Sequence, residues 1–197
     1  HGVNLSDTAD VVKAEERFHS RVANQIEDFR RDVLKPLQEK THKAGFTNAD
    51  IAQFLHAQMA EKRNIDVAAK NPRFPDGGSG MDTQEARTIL AAAPPELKKL
   101  ANEWRQITED SLDMKVASGL ITPEMAKAFR LANPDYAPVR GGPEDQRLVG
   151  SGKGYKVRHK EQRALGHPVR PGGEWIIENI LADRESTIMK AEKALLA

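Results

Sequence analysis

Residues 97–114 read LKKLANEWRQITEDSLDM, and this stretch decides the fold class. Apolar or small side chains recur in it at steps of 3, 4, 3, 4 and 3 residues, which places them on one stripe of an α-helix. The stripe consists of Leu97, Leu100, Trp104, Ile107, Ser111 and Met114. Such a stripe is the seam along which two helices pack in coiled-coil fashion. The stretch therefore predicts a long helix with Trp104 in a helix–helix contact.

Helical spacing also marks the N-terminal part of the chain. Six apolar residues lie three or four positions apart and predict one long amphipathic helix: Phe18, Val22, Ile26, Phe29, Val33 and Leu37. Pro36 interrupts this helix, because proline lacks an N–H group and its ring collides with the preceding turn. We therefore expect a bend or a split near Leu34. Further on, Thr47 and Asp50 have the spacing of a helix N-cap with an acidic partner.

Apolar spacing returns near the C-terminal end, after a long interruption. From Trp175 onward it predicts an amphipathic helix carrying Ile177, Ile180, Leu181, Ile188, Ala191 and Leu195. In between, thirteen of the 41 residues from 133 to 173 are Gly or Pro, and no helical period survives. The sequence thus predicts an all-α fold, an irregular multi-helix bundle with a Gly/Pro-rich basic loop. A short β-hairpin near 153–159 is an alternative for part of that loop.

These patterns divide the chain into three parts. Residues 1–132 form a helical bundle, 133–173 a loop insertion, and 174–197 an amphipathic helix that continues past residue 197. The chain opens with His1 and Gly2 and stops inside an apolar-periodic run. We therefore expect it to be a piece of a longer polypeptide.

Composition excludes several classes of protein. The chain has 197 residues, no cysteine, and 30 Lys and Arg against 29 Asp and Glu. A chain without cysteine cannot be a disulfide scaffold or use a thiolate for metal binding or catalysis. The net charge of +1 predicts no overall attraction to nucleic acids or membranes. No window of 18 uncharged apolar residues occurs, so we expect no membrane span.

The motifs of enzymes and cofactor sites are also missing from the sequence. None of the six histidines forms an i, i+4 pair, and we expect His19 and His56 to lie at the surface or at its boundary. Residues 150–154, GSGKG, resemble part of a phosphate-binding loop but lack its first glycine and its final hydroxyl residue. The sequence therefore predicts no catalytic, cofactor-binding or metal-ligating residues, and a protein that is not an enzyme.

One local charge pattern points to a binding function. Residues 140–173 contain eight Lys and Arg and three acidic residues, a net charge of +5. Cations on a Gly-rich loop can follow a phosphate backbone, and an aromatic ring offers a stacking surface for a base. The candidate residues for binding DNA or RNA are Lys153, Tyr155, Lys156, Arg158, Lys160 and Arg163. The alternative is a solvated linker whose cations meet acidic groups elsewhere in a larger protein.

Several loop runs resemble a helical module of the large polyvalent proteins of bacteriophages and mobile elements. They are NPRFPDGGSGM at 71–81, NPDYAPVRG at 133–141, RALGH at 163–167 and ENILA at 178–182. The resemblance covers about residues 15–197 and consists of the order and spacing of loop signatures. It departs from the usual pattern at Val139, where leucine is typical. No catalytic motif takes part in it.

The resemblance implies a setting for the chain. Such proteins join enzymatic domains with helical spacer modules, and some are packaged in virions and ejected with the DNA. It implies a non-catalytic structural or interaction module, located in the virion or the host cytoplasm. Its partners would be other domains of the parent polypeptide or virion proteins. The alternatives are a nucleic-acid-binding module that uses the loop at 150–163, and an accessory fragment of a phage peptidoglycan-cleaving or polymerase protein.

Overall fold

A computed structural model describes residues 11–138 and 173–195 of the chain. Within these ranges the protein is all-α, which confirms the predicted fold class, and it contains no strand. The helices are α1 (Val11–Phe29), α2 (Lys35–Lys43), α3 (Asn48–Ala68), α4 (Thr83–Ala92), α5 (Pro95–Ala117), α6 (Pro123–Ala132) and α7 (Trp175–Ala194). The β-hairpin considered at 153–159 lies outside the described residues, as does the basic loop from 139 to 172.

The chain stays helical between α1 and α2 but changes its winding there. Arg30–Leu34 form a π-helical segment, in which the backbone N–H of Lys35 donates to the carbonyl of Arg30, five residues earlier. Pro36 follows in the first turn of α2. A π turn accommodates one residue more than an α turn, and this relieves the collision between a proline ring and the preceding turn. The irregularity expected near Leu34 is therefore present, as a π-helical segment within a continuous helix and not as a split.

The start of α3 has the predicted cap. The backbone N–H of Asp50 donates to the Thr47 hydroxyl at 3.2 Å, and the backbone N–H of Thr47 donates to the Asp50 carboxylate at 2.7 Å. Just before this cap, Gly45 ends α2 with a φ of +81°, a conformation that glycine adopts without strain. The reciprocal bonds satisfy two donors that the first turn of a helix otherwise leaves unpaired.

The predicted stripe of α5 forms the centre of the core. Trp104 is completely buried, and its indole N–H donates to the Thr41 hydroxyl at 3.1 Å. That hydroxyl in turn donates to the carbonyl of Leu37 at 2.8 Å, so the contact ties α5 to α2. Helix α5 also packs against α3 and α7, and α7 packs against α1. Other core residues of these helices are Ile51, Leu55, Leu100, Ile176, Ile177, Ile180 and Ile188.

The loop between α3 and α4 lies against the C-terminal half of α3. The loop turns at Gly77 and Gly80, whose φ angles of +74° and +87° favour glycine. Between them, Gly78 approaches α3 so closely that a Cβ atom would lie 2.5 Å from Cγ1 of Val67. A larger residue at 78 would therefore push the loop away from the helix.

A buried amide holds the same loop in place. The side-chain amide of Asn64, on α3, donates to the Met81 carbonyl at 2.9 Å and to the Asp76 carboxylate at 2.7 Å. Its oxygen accepts the backbone N–H of Ser79 at 2.8 Å. Buried polar groups cost stability unless they are bonded, and here one side chain satisfies several of them. The run at 71–81 thus has a structural role within the fold.

Candidate functional site

The residues predicted to bind nucleic acid fall in the part of the chain that the structure leaves undescribed. They are Lys153, Tyr155, Lys156, Arg158, Lys160 and Arg163, and all six lie between 139 and 172. Their role remains a prediction from charge and sequence.

The two histidines expected at the surface differ in their burial. His19 is exposed on α1, but His56 on α3 is only 1% exposed, so the expectation for His56 is wrong. Its Nε2 lies 2.8 Å from the Ser79 carbonyl, and its ring meets the Trp175 ring edge-on at 5.6 Å. The loop and α7 cover His56 together.

Residues 11–138 and 173–195 contain neither a metal-binding cluster nor a membrane-spanning helix. No group of three or more His, Asp or Glu side chains converges there in a way that could hold a metal ion. The same ranges include no helix with the length and apolar character needed to cross a membrane.

A surface groove of about 270 Å³ lies where α1, the π-helical segment, α5 and α7 meet. We call it the π groove. Its lining combines apolar side chains with three kinds of polar group, an amide, two carboxylates and one guanidinium. The lining residues are Gln25, Asp28, Phe29, Asp32, Val33, Met114, Arg184 and Ile188.

The helices bring these side chains together for reasons that the sequence makes clear. Phe29 is the last residue of α1 and belongs to its apolar stripe, and Val33 follows in the π-helical segment. Met114 ends the stripe of α5, where the seam reaches the surface. From α7 come Arg184 and Ile188, one turn apart on the same face. The apolar walls of the π groove are therefore continuations of the core.

Arg184 is the cation of the π groove, and it lacks a bonded partner among the described residues. Its Nε and Nη1 atoms are buried without a hydrogen bond. The guanidinium carbon lies 5.5 Å from the centroid of the Phe29 ring, a cation–π contact. Burial lowers the pKa of Arg184, and the more distant charge of Asp110 acts in the opposite direction. The guanidinium nevertheless stays protonated, because the ordinary pKa of arginine is so high.

The two carboxylates of the π groove are already engaged by another arginine. Arg31 donates to Asp32 at 2.8 Å through both Nε and Nη2, and to Asp28 at 2.7 Å. The hydrogen bonds to Asp32 contribute most to raising the pKa of Arg31, and the bond to Asp28 contributes next. The bond from Arg31 in turn lowers the pKa of Asp32. The three side chains carry a net charge of −1 at the margin of the groove.

Other cations near the π groove also have partners. Lys115 of α5 lies 2.8 Å from Asp183 in a half-buried ion pair, and Arg30 of the π-helical segment lies 2.5 Å from Glu185. Both pairs join α7 to its neighbours. The guanidinium of Arg184 differs from them, because no carboxylate of the described residues lies within ion-pair distance of it.

This arrangement can bind an anion next to apolar groups. It offers one positive charge in a partly water-excluded concavity, where charge–charge attraction is stronger than in bulk water. Arg184 was not among the residues predicted from the sequence, although a signal was present. Arg184 lies four residues after Ile180 and four before Ile188, so it interrupts the apolar stripe of α7 with a charge.

Comparisons of the chain with protein-family models, with curated protein sequences and with solved structures find no match.

Proposed function

We propose that this chain is a non-catalytic interaction module of a large phage-type polyvalent protein. Its parent would be carried in the virion or delivered with the DNA into the host cytoplasm. The partners would be other segments of the same polypeptide or virion proteins. The resemblance of the loop runs supports the setting, and the π groove supports the interaction role. The π groove is the single observation that carries the proposal of an interaction role.

Arg184 of the π groove has no bonded partner among the residues that the structure describes. A partly buried charge without a partner costs stability, so a groove that keeps one is arranged for something other than stability alone. Its apolar walls include Val33, which is 41% exposed. An apolar concavity with a few fixed polar groups is the usual form of a binding site. Helix α6 adds a second exposed apolar surface, with Met125 and Leu131 at 58% and 76% exposure.

Site-specific photocrosslinking in intact particles tests this function. Val33→p-benzoylphenylalanine places the crosslinker at the π groove, and Ile65→p-benzoylphenylalanine on α3 is the matched control at another exposed aliphatic position. We expect crosslinks from position 33, but not from 65, to a defined segment of the same polypeptide or of a virion protein. Absence of the chain from particles and equal crosslinking at both positions would each contradict the proposal.

A second candidate function is nucleic-acid binding through residues 150–163. The observation that favours it is the net charge of +5 on residues 140–173, while residues 1–139 and 174–197 each sum to −2. Such a segment would strengthen the binding of a delivered protein to the DNA it travels with, because cations release counterions from a phosphate backbone. The salt dependence of binding to DNA or RNA tests it.

A further inference from the structure

We propose that the π groove is a receptor for one carboxylate carried by an apolar peptide segment, with Arg184 as its anion-binding residue. This inference rests on the proposed function, because it names the chemistry of the partner that an interaction module would hold. The partner segment would present an Asp or Glu side chain flanked by aliphatic residues.

The first argument is the position of Arg184 on its helix. It occupies the stripe of α7 that otherwise packs into the core through Ile180 and Ile188. A charged residue at such a position is uncommon, since burial disfavours the charged form. An apolar residue would fill the same space without that penalty. The position of the guanidinium is therefore not explained by the contacts it makes with the described residues.

The second argument is the accessibility of the guanidinium. Its Nε and Nη1 atoms are buried without a hydrogen bond, while the residue as a whole is only half-buried. A carboxylate entering the π groove can therefore accept a hydrogen bond from the guanidinium. The Phe29 ring lies against the guanidinium at 5.5 Å and restricts its movement. An ordered, partly desolvated guanidinium loses less entropy on binding than a free surface arginine does.

The third argument concerns the charge of the ligand. The cluster of Arg31, Asp28 and Asp32 at the margin carries a net charge of −1. Asp110 lies near enough to influence Arg184. A polyanion, such as a nucleic-acid backbone, would bring several charges against these carboxylates. A single carboxylate can reach Arg184 while the rest of its segment stays neutral, so the surroundings favour a monoanion.

The fourth argument concerns the neighbours of the carboxylate. Phe29, Val33, Met114 and Ile188 form the apolar part of the lining. Aliphatic side chains next to the acidic residue would remove apolar surface from water there. Methionine adapts its shape to different partners, which suits a site that receives a side chain. Charge and apolar contact together would distinguish an acidic–apolar segment from a purely acidic one.

Nuclear magnetic resonance titration with two synthetic peptides tests the proposal. The probes are acetyl-Gly-Leu-Glu-Leu-Gly-amide and the same peptide with Gln in place of Glu. We expect the Glu peptide to shift the Arg184 Nε–H signal and the Val33 and Ile188 methyl signals. Its affinity should exceed that of the Gln peptide about tenfold, because a hydrogen bond to a charged group is lost in the latter.

Variants separate a binding role of Arg184 from a structural one. Arg184→Gln should reduce the affinity for the Glu peptide to that for the Gln peptide, and Arg184→Lys should retain part of the difference. The matched control is Lys193→Gln, which removes an exposed cation from the last turn of the same helix and should change nothing. Circular dichroism spectra verify that each variant is folded.

Three results would overturn the proposal. They are equal affinity for the two peptides, shifts that map away from the π groove, and undiminished binding by Arg184→Gln. Tighter binding of inorganic phosphate than of the Glu peptide would overturn the choice of a carboxylate. If position 33 crosslinks to a segment without an acidic residue, this inference fails while the proposed interaction role stands. If position 33 crosslinks to nothing, the interaction role itself fails.

Discussion

Replacing Arg184 by methionine should make the protein more stable, although the change removes the cation of the π groove. Methionine has a similar length, a similar helix propensity and enough flexibility to fill the same space. The substitution therefore leaves the packing of α7 largely intact and acts mainly on the charge.

The size of the effect follows from the contacts of the side chain. Two buried N–H groups without partners, on Nε and Nη1, disappear with the guanidinium. Each such group costs about 1–3 kcal/mol when fully desolvated, and the half-burial of Arg184 reduces that figure. Loss of the contact with Phe29 costs about 0.5–1 kcal/mol, and loss of the attraction to Asp110 costs about a few tenths of a kcal/mol. We expect a net gain of about 1 kcal/mol, or roughly 2–4 °C in Tm.

Urea unfolding followed by circular dichroism measures this difference. The midpoint should rise while the slope m stays constant, since the surface exposed on unfolding hardly changes. Lys193→Met is the control, and as a change at an exposed position it should stay within about 0.5 kcal/mol of the wild type. A loss of 1 kcal/mol or more in Arg184→Met would refute the reasoning. It would mean that the guanidinium stabilises the fold, and that its position is explained without a ligand.

Three further predictions concern the core, the α3–α4 loop and the basic segment. Trp104→Ala should cost about 3–5 kcal/mol of unfolding free energy, because the indole is completely buried. A variant that melts within a degree or two of the wild type would contradict this. The pKa of Asp76 is lowered, chiefly by hydrogen bonds from the Thr83 backbone and hydroxyl, so the ionised carboxylate stabilises the fold. Its contribution is present above about pH 4 and disappears as the pH falls through the lowered value. The stability difference between the wild type and Asp76→Asn should therefore shrink from about pH 5 to pH 3 in thermal melts, and a constant difference would contradict the assignment. If the basic segment binds DNA or RNA, log K should fall against log salt with a slope near −4. The binding constant should then be about hundreds-fold lower at 200 mM salt than at 50 mM salt. Fluorescence anisotropy measures this slope, and a flat response would exclude the nucleic-acid function. Changing the contact residues to Gln should reduce the slope and leave the helices intact: Lys153, Lys156, Arg158, Lys160 and Arg163.

The helices could be predicted from the sequence because their signals are local. The stripe from Leu97 to Met114 and the cap formed by Thr47 and Asp50 depend on spacings within a few turns, and both are found as predicted. Pro36 likewise predicted a disturbance of the first helix at the right place. Its form could not be predicted, because a bend and a π-helical segment both relieve the same steric conflict.

Burial decided by distant contacts could not be predicted in the same way. His56 is covered by the loop that carries Ser79 and by Trp175 of α7. Those residues are 23 and 119 positions away, and the periodicity of α3 gives no information about them. The π groove has the same origin, since it exists only where α1, α5 and α7 meet. The sequence shows that Arg184 interrupts the apolar stripe of α7, but it does not show which residues of other helices surround the guanidinium.

The loop runs at 71–81 and 133–141 contact the protein's own helices where the structure describes them. The run at 71–81 supplies Ser79 and Met81 to the hydrogen bonds around Asn64. At 133–138, Asp135 pairs with Arg105 of α5 at 2.7 Å. Such a run can thus fix the positions of helices without contacting any partner. We therefore expect partner specificity to come from the helix surfaces that these runs position. The π groove is such a surface, because Arg184 has no bonded partner among residues 11–138 and 173–195. Its side chains are therefore the ones to vary when specificity is tested.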